Sequence, residues 1–376
     1  MIHSLLYTIA GLVIALLVTS ALLPLIRKLA LAVRAVDYPG GRRVQAEGIP
    51  RLGGVAVVVG MLAAQAVVAT LLWHNWAANL EPMERVAIPL ALFIVFVCGL
   101  VEDTVGISPL LRILLQTVAA ALVIRAGWCV SLSSLPFLGP GFETPCWILT
   151  LLWIVGVTNA VNLLDGLDGL AGGVTAIIAA GLAIFALGTG NIVTAVAMGT
   201  MVGACLGFLR KNWAPAQIYL GDAGSLTLGF LLAIVSIHAS LKISTVAAIL
   251  FPLLALGLPV FDTLLVMAFR FRKKIRTPLV RRVAAVFHAD RSHLHHLMLR
   301  LGLDRKRIVV GIYALTIAFC ALALAAAVVR NTLLGVVFIL FELAVVFAIR
   351  HLGNHAELLH LPIAGRKKLK ALFFGQ

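Results

Sequence analysis

Runs of about twenty apolar residues recur from one end of this chain to the other, each long enough to cross a bilayer as a helix. In lipid every backbone N–H and C=O must be satisfied within its own segment, so such runs leave an α-helical bundle as the fold. The runs divide into eleven predicted spans: 4–26, 53–73, 86–101, 109–126, 146–161, 170–188, 191–209, 224–241, 245–268, 308–329 and 332–350. Of 376 residues, 62% are hydrophobic and 12% charged, which excludes an ordinary soluble domain. The first run, "LLYTIAGLVIALLVTSALLPLI", exceeds a signal peptide's apolar core and has no basic region before it, so it reads as a retained span. "GTGN" joins the sixth and seventh spans as a tight turn, making them one hairpin. The expected architecture is all-α and polytopic, with residues 1–350 as one membrane domain and 351–376 as a basic tail.

Lys and Arg set the orientation. One set of loops carries 26 of the 30 basic residues, including Arg27, Arg43, Arg51, Arg112 and the dozen between Arg270 and Arg307. The other carries Arg85, Arg125, Lys242 and Arg330. The amino terminus is therefore expected outside and the carboxyl terminus in the cytoplasm. This bias, together with attraction to anionic lipid, accounts for the net charge of +15 without nucleic acid as a partner. Cys129 and Cys146 share one predicted outer loop. An oxidising compartment would allow a bridge there, but two unpaired thiols are the preferred reading.

Most of the fifteen acidic residues fall at the inner ends of spans. "GLVEDTVGISPLL" delivers Glu102 and Asp103, "NAVNLLDGLDGLAGG" delivers Asp165 and Asp168, "QIYLGDAGSLTLGF" delivers Asp222, and "GLPVFDTLLVMAFR" delivers Asp262. Singly, Asp222 reads equally well as a helix cap, and Glu102–Asp103 as a solvated turn. Asp165 and Asp168 have no cation within dozens of residues, and a carboxylate near lipid costs roughly 2 to 3 kcal/mol. Asn159, Asn162, Asp165 and Asp168 would spread over half of one straight helix, whereas Gly166 and Gly169 predict that the helix ends near Asp165 and bends. The polar groups would then border a cavity. Carboxylates without Cys or His ligands suit Mg²⁺, or Mn²⁺, carrying a substrate diphosphate. Inner cations and "GDAGS"-type helix starts would meet the phosphates.

"VFHADRSHLHHLMLRLGLDRKR" gathers His288, Asp290, Arg291, His293, His295 and His296. A zinc site and a surface histidine cluster are the rival readings. A polar clamp for phosphate or sugar is preferred, with Arg291, His293, His295 and His296 as donors. In the first inner loop, Arg43 and Arg51 are either lipid-surface anchors or substrate contacts. Gly53 and Gly54 serve either ligand approach or close packing.

These motifs resemble the polyprenyl-phosphate N-acetylhexosamine-1-phosphate transferases, over nearly the whole chain. The resemblance rests on Pro50-Arg51-Leu52-Gly53-Gly54, Glu102-Asp103 with Gly106 and Pro109, Asn159-x-x-Asn162-x-x-Asp165-Gly-x-Asp168, Gly221-Asp222-x-Gly224-Ser225 and His293-Leu-His295-His296. It implies transfer of a sugar 1-phosphate from a UDP-sugar to undecaprenyl phosphate in the bacterial inner membrane, at a cytoplasmic-face site. Asp222 would be a Mg²⁺ ligand, Asn162 and Asp165 would serve nucleotide and metal, and Asp168 would be catalytic. His295 and His296 would lie near the phosphates. Asn159 and Asp262 join the substrate-binding group, Asp165 is a second metal ligand, and a second copy of the chain is a candidate partner. Most members have two aspartates where this chain has Glu102-Asp103, so Asp103 is the preferred group to orient or deprotonate the lipid phosphate, and Glu102 the second choice. Many also have a histidine at the place of Gln45. Either one displacement or a route through an aspartyl-phosphate is open. The likeness favours the UDP-N-acetylglucosamine branch that serves O-antigen and other envelope polymers. UDP-FucNAc and UDP-MurNAc-pentapeptide are the alternative donors. A proton-coupled transporter fits less well, since the acids gather at one face and no repeat is visible. A CDP-alcohol phosphotransferase would need a continuation absent after Asp165-Gly166.

Overall fold

The ends of most apolar runs are written in the residues that flank them. The computed structural model describes residues 2–37, 48–78, 81–130, 144–241, 247–273, 293–329 and 331–358. In chain order the helices are α1 (Ile2–Ala32), α2 (Gly53–Ala78), α3 (Pro82–Thr104), α4 (Pro109–Arg125), α5 (Thr144–Leu163), α6 (Leu170–Gly188), α7 (Ile192–Asn212) and α8 (Gly221–Leu241). Then come α9 (Ala247–Ala255), α10 (Gly257–Lys273), α11 (Leu294–Arg300), α12 (Arg305–Val329) and α13 (Thr332–Leu358). Ser108 caps α4 by accepting the Leu111 N–H, with Pro109 at the first helical position, where a missing N–H costs nothing. Asn191 caps α7 through the Thr194 N–H, directly after Gly190, and closes the α6–α7 hairpin.

The chain is an all-α, multi-pass membrane protein. Among the described residues, nine helices are long and apolar enough to cross a bilayer. Two of the eleven expected spans differ from this set. The α4 helix has 17 residues, short for a span. The run predicted as one helix over 245–268 is broken into α9 and α10 at Leu256. Pro259 has no N–H for the Ala255 carbonyl, and Gly257 follows the break, so the ladder loses a bond there, although the Leu256 N–H still reaches the Pro252 carbonyl and the Val260 N–H the Leu256 carbonyl. Glu342, fully buried on α13, lies against Gly257. The last helix continues to Leu358, into the segment read as tail. A two-residue antiparallel ladder is an element that the apolar runs do not predict: β1 (Val36–Asp37) pairs with β2 (Ile49–Pro50) between α1 and α2. Cys129 and Cys146 are not bridged.

The α8 helix is the axis of the bundle. Its apolar stretch is 94% buried, against 17% for α13, and it packs on α2, α3, α5 and α6. A helix apolar all round belongs inside, and this placement carries its first turn to where four other elements converge. Gly53 and Gly54 make the approach, their N–H groups donating to the carbonyls of Tyr219 and Leu220 at 2.9 and 2.7 Å. A Cβ on Gly54 would lie 2.1 Å from the Gly224 nitrogen and 2.3 Å from its Cα. Both obstacles are backbone, so no rotamer relieves them. Gly54→Ala is therefore expected to cost about 3 kcal/mol or more and to lower the thermal midpoint in detergent. Gly156→Ala, with nothing within 4 Å of the new carbon, is expected to leave the midpoint unchanged. Equal midpoints would show that α2 and α8 are not packed this closely.

Candidate active site

At the start of α8 the chain turns through Gly221, whose φ of 71° is one that side chains rarely adopt, and whose Cβ would meet the Arg51 carbonyl at 2.1 Å. The next two backbone N–H groups, of Asp222 and Ala223, donate to Asp103 Oδ1 and Oδ2, each at 2.9 Å. Arg51 Nε lies 3.7 Å from Asp103 Oδ1. A buried carboxylate at a helix N-terminus satisfies two orphan donors and the positive end of the dipole together. The Asp222 side chain, freed from capping, points onward. Asn162 Nδ2 donates to its Oδ1 at 3.1 Å and Arg112 Nη1 to its Oδ2 at 3.2 Å. Asn162 also donates to Ser225 Oγ at 2.8 Å.

Beside this lies the bend between α5 and α6. The α5 helix stops at Leu163, close to the expected end at Asp165. Asp165 is half-buried, and its carboxyl is pushed up to about 7, first by desolvation and then by the neighbouring carboxylates of Asp222 and Asp103, against a hydrogen bond from the Gly221 N–H. Asp168 Oδ2 accepts the Ala216 N–H at 3.0 Å, and Asn212 Oδ1 accepts the Gly169 N–H at 2.8 Å. The Tyr313 hydroxyl donates to the Gly169 carbonyl. These bonds fasten the "DGLDG" bend to α7, the following loop and α12.

Together these elements border a cavity of about 760 Å³ lined by Asn162, Asp165, Gly166, Asp168, Gly221 and Asp222. Arg51, Arg300, Arg305 and His296 line the same cavity, with Asp37, Tyr219, Asn212, Leu167 and Leu299 completing the wall. Of the residues chosen from sequence, Arg51, Asn162, Asp165, Asp168, Asp222 and His296 meet there.

Others are placed differently. Asn159 sits one turn deeper, donating to Gln116 Oε1 at 2.6 Å, and ties α5 to α4. Glu102 Oε2 accepts the Ile107 N–H at 2.9 Å and shapes the turn into α4. Neither Glu102 nor Asp103 lines the cavity. Asp262 is buried and holds the start of α11, accepting from the Leu294 N–H at 3.0 Å and bonding His293 Nδ1 at 2.9 Å. His293 is thereby buried as well. His295 is 1% exposed and packs on Gly166, where a Cβ would meet its Nε2 at 2.5 Å. Burial first, and His296 second, hold its pKa down to about 4, so it is neutral at physiological pH. Arg43 and Arg291, like Gln45, His288 and Asp290, lie outside the described residues.

Sequence reasoning passed over Arg112, Asp37, Asn212, Tyr219, Arg300 and Arg305 as site residues. The three arginines were counted only as positive-inside charge. Arg112 did carry a signal: a lone cation in the first turn of an apolar helix, nine residues past Asp103, which a surface anchor does not need.

Among the described residues no three His, Cys, Asp or Glu form a self-sufficient metal site. The donor set nevertheless suits a hard cation: two carboxylates, Asp165 and Asp222, crowded enough to raise one proton affinity, and a carboxamide oxygen on Asn162. Mg²⁺ takes one or two carboxylates and leaves the remaining positions to water and substrate phosphates.

Comparison with known proteins supplies a context. The model of glycosyl transferase family 4 matches residues 86–240. The chain is 32% identical over 341 residues to a probable undecaprenyl-phosphate N-acetylglucosaminyl 1-phosphate transferase of Bacillus subtilis, covering 90% of this chain and 89% of that protein. It is 31% identical over 356 residues to a decaprenyl-phosphate N-acetylglucosaminephosphotransferase of Mycobacterium leprae, covering 88% of each. A phospho-N-acetylmuramoyl-pentapeptide-transferase of Desulforudis audaxviator is 28% identical over 337 residues, covering 83% of this chain and 96% of that protein.

Proposed function

We propose, from the premise that the chain belongs to glycosyl transferase family 4, the polyprenyl-phosphate N-acetylhexosamine-1-phosphate transferases, that it moves N-acetylglucosamine 1-phosphate from UDP-N-acetylglucosamine to undecaprenyl phosphate. UMP is the second product. The observation that carries this reading is the cavity itself, lined both by the carboxylates of Asp165, Asp168 and Asp222 and by Arg51, Arg300, Arg305 and His296. That combination of carboxylates and cations suits a diphosphate that meets a divalent cation and basic side chains together. The names of the relatives support the donor and the acceptor. The inner membrane, the cytoplasmic face and a first step in envelope-polysaccharide synthesis complete the proposal. The excess of Lys and Arg in the loops on the site's side supports them.

Mg²⁺ held by Asp222 and Asp165 would supply charge stabilisation on the diphosphate. The protein's own residues do the positioning. Arg51, Arg300 and Arg305 face the phosphates, and Asn162 fixes the Asp222 carboxylate. An oxygen of the lipid phosphate attacks the β-phosphorus, a new P–O bond forms, and the bond to the bridging oxygen breaks with UMP leaving. A phosphate monoester has a second pKa of about 6, so at pH 7 it is largely dianionic and needs no base. Asp103, with both oxygens accepting backbone N–H groups, is read here as a cap, neither the proton acceptor nor the nucleophile of an aspartyl-phosphate route. A single displacement is the consequence.

The test is UMP release by purified protein in detergent with undecaprenyl phosphate and Mg²⁺, across UDP-GlcNAc, UDP-FucNAc and UDP-MurNAc-pentapeptide. UMP that depends on lipid and on metal, from UDP-GlcNAc, is expected. Folded protein yielding none from any donor would overturn the reading, and proton-coupled uptake would be tested next.

A further inference from the structure

We propose that Arg350, on the last helix, is a positioning residue for the donor: through Asp262 it seats α11, and so sets where His296 and Arg300 meet the diphosphate; this rests on the phosphotransfer reading above.

The apolar stretch of α13 is 17% buried, yet one stripe of the helix turns inward. Glu342, Val346, Arg350 and Gly353 follow one another at helical spacing, and all four are buried. Glu342 lies against Gly257, at the start of α10. Two turns further on, Arg350 Nη1 lies 3.7 Å from Asp262 Oδ1 of the same α10, with both side chains 4% exposed. At the inner end of the stripe, a Cβ on Gly353 would meet Leu297 Cβ of α11 at 2.9 Å. The last helix thus lies along α10 and reaches α11.

The carboxylate that Arg350 faces is the one that starts α11. Asp262 Oδ1 accepts the Leu294 N–H at 3.0 Å, and Oδ2 bonds His293 Nδ1 at 2.9 Å. From the same seven-residue helix, His296, Leu299 and Arg300 line the cavity. A helix of two turns is not stable by itself and takes its place from what it rests on. A lipid-surface anchor would carry its charge outward, whereas Arg350 is 3% exposed, with Cζ 5.0 Å from the centroid of the Phe269 ring. A buried ion pair adds little net stability over apolar residues of similar volume, so stability alone does not account for this one. What it supplies is a fixed place for Asp262. Without the guanidinium that carboxylate loses a buried counter-charge, and any shift it makes is passed to the start of α11 through two hydrogen bonds.

The experiment separates the donor from everything else. In steady-state assays of the full chain in detergent, Arg350→Gln is expected to raise the KM for UDP-GlcNAc at least about tenfold, the scale of one charge-assisted hydrogen bond. The KM for undecaprenyl phosphate and the Mg²⁺ concentration at half-maximal rate should stay within about threefold, since the contacts assigned to α11 are with the donor. Arg350→Lys keeps a charge opposite Asp262 and should return the donor KM to within about threefold of wild type. Gly353→Ala pushes on Leu297 without touching a charge, and should raise the donor KM at least about threefold. It decides alone should the glutamine variant fail to fold. A second readout needs no turnover: calorimetric binding of UDP-GlcNAc, with Mg²⁺, to nanodisc-embedded protein, expected to weaken at least about tenfold in Arg350→Gln. A donor KM and affinity unmoved by Arg350→Gln or by Gly353→Ala, equal shifts for donor, lipid and Mg²⁺, or no rescue by lysine would make Arg350 a brace for the fold and overturn the proposal. Absence of UMP from wild type would instead defeat the phosphotransfer reading, while the binding assay still judges Arg350. A wild type that binds no UDP-GlcNAc overturns both.

Discussion

Asp222→Ala is expected to lower UMP release at least about a thousandfold, about 4 kcal/mol of transition-state stabilisation, with little change in thermal midpoint. The two halves of this expectation come from different atoms of one residue. The Asp222 backbone N–H secures the start of α8 through Asp103, and any side chain leaves that bond in place. The side chain is the meeting point of Asn162, Arg112 and, on the proposed reading, the divalent cation. Alanine removes the acceptor from both partners and one of the carboxylates that line the cavity. Asp222→Asn is the sharper variant. Its oxygen can still accept from Asn162, so geometry is largely kept while the charge is lost, and a comparable fall in rate is expected. A rate above a tenth of wild type in Asp222→Asn, at saturating Mg²⁺, would remove Asp222 from the metal site.

What could be read from sequence, and what could not, divides along the range of the interactions. Helix ends set by local chemistry were legible: Ser108-Pro109 starts α4, and the glycines of "DGLDG" end α5 close to where they should. The convergence of Asn162, Asp165, Asp168 and Asp222 followed from charge without counter-charge in an apolar chain, since isolated carboxylates there need a shared purpose. The break between α9 and α10 was equally local, because Pro252, Gly257 and Pro259 stand in the predicted span, but hydropathy averaged over twenty residues hides two missing hydrogen bonds. Beyond reach were the partners of side chains across the fold. Nothing near Asp262 says that it closes on His293, 31 residues later, and nothing near Arg112 points to Asp222. The resemblance implied a role for each motif, but it did not foretell that both Asp103 oxygens accept backbone N–H groups at the start of α8, because a carboxylate that caps a helix and one that faces a ligand are the same letters.

Asp103 is where that division is best tested. A cap alone and a cap that is also a proton acceptor differ in the rate they leave to Asp103→Asn. The carboxylate accepts two backbone N–H groups, one on each oxygen, with the bare Gly221 close enough that a Cβ there would meet Oδ2 at 2.5 Å. An asparagine offers one oxygen and one NH₂, so either Asp222 or Ala223 would face a donor instead of an acceptor, inside protein. Leaving such an N–H unpaired costs about 1–3 kcal/mol, and losing the charge at a helix N-terminus adds about 0.3–1 kcal/mol or more. Asp103→Asn is therefore expected to lower the thermal midpoint in detergent by several degrees. It should also lower the rate at least about a hundredfold, because the turn that presents Asp222 is displaced. Were Asp103 also the base for the lipid phosphate, the same substitution would stop the reaction altogether, beyond the fall that the lost cap accounts for. The contrast with Asp222→Asn, which should lose rate and keep stability, makes the pair decisive: two adjoining carboxylates, one holding the backbone of the site and the other facing its substrate.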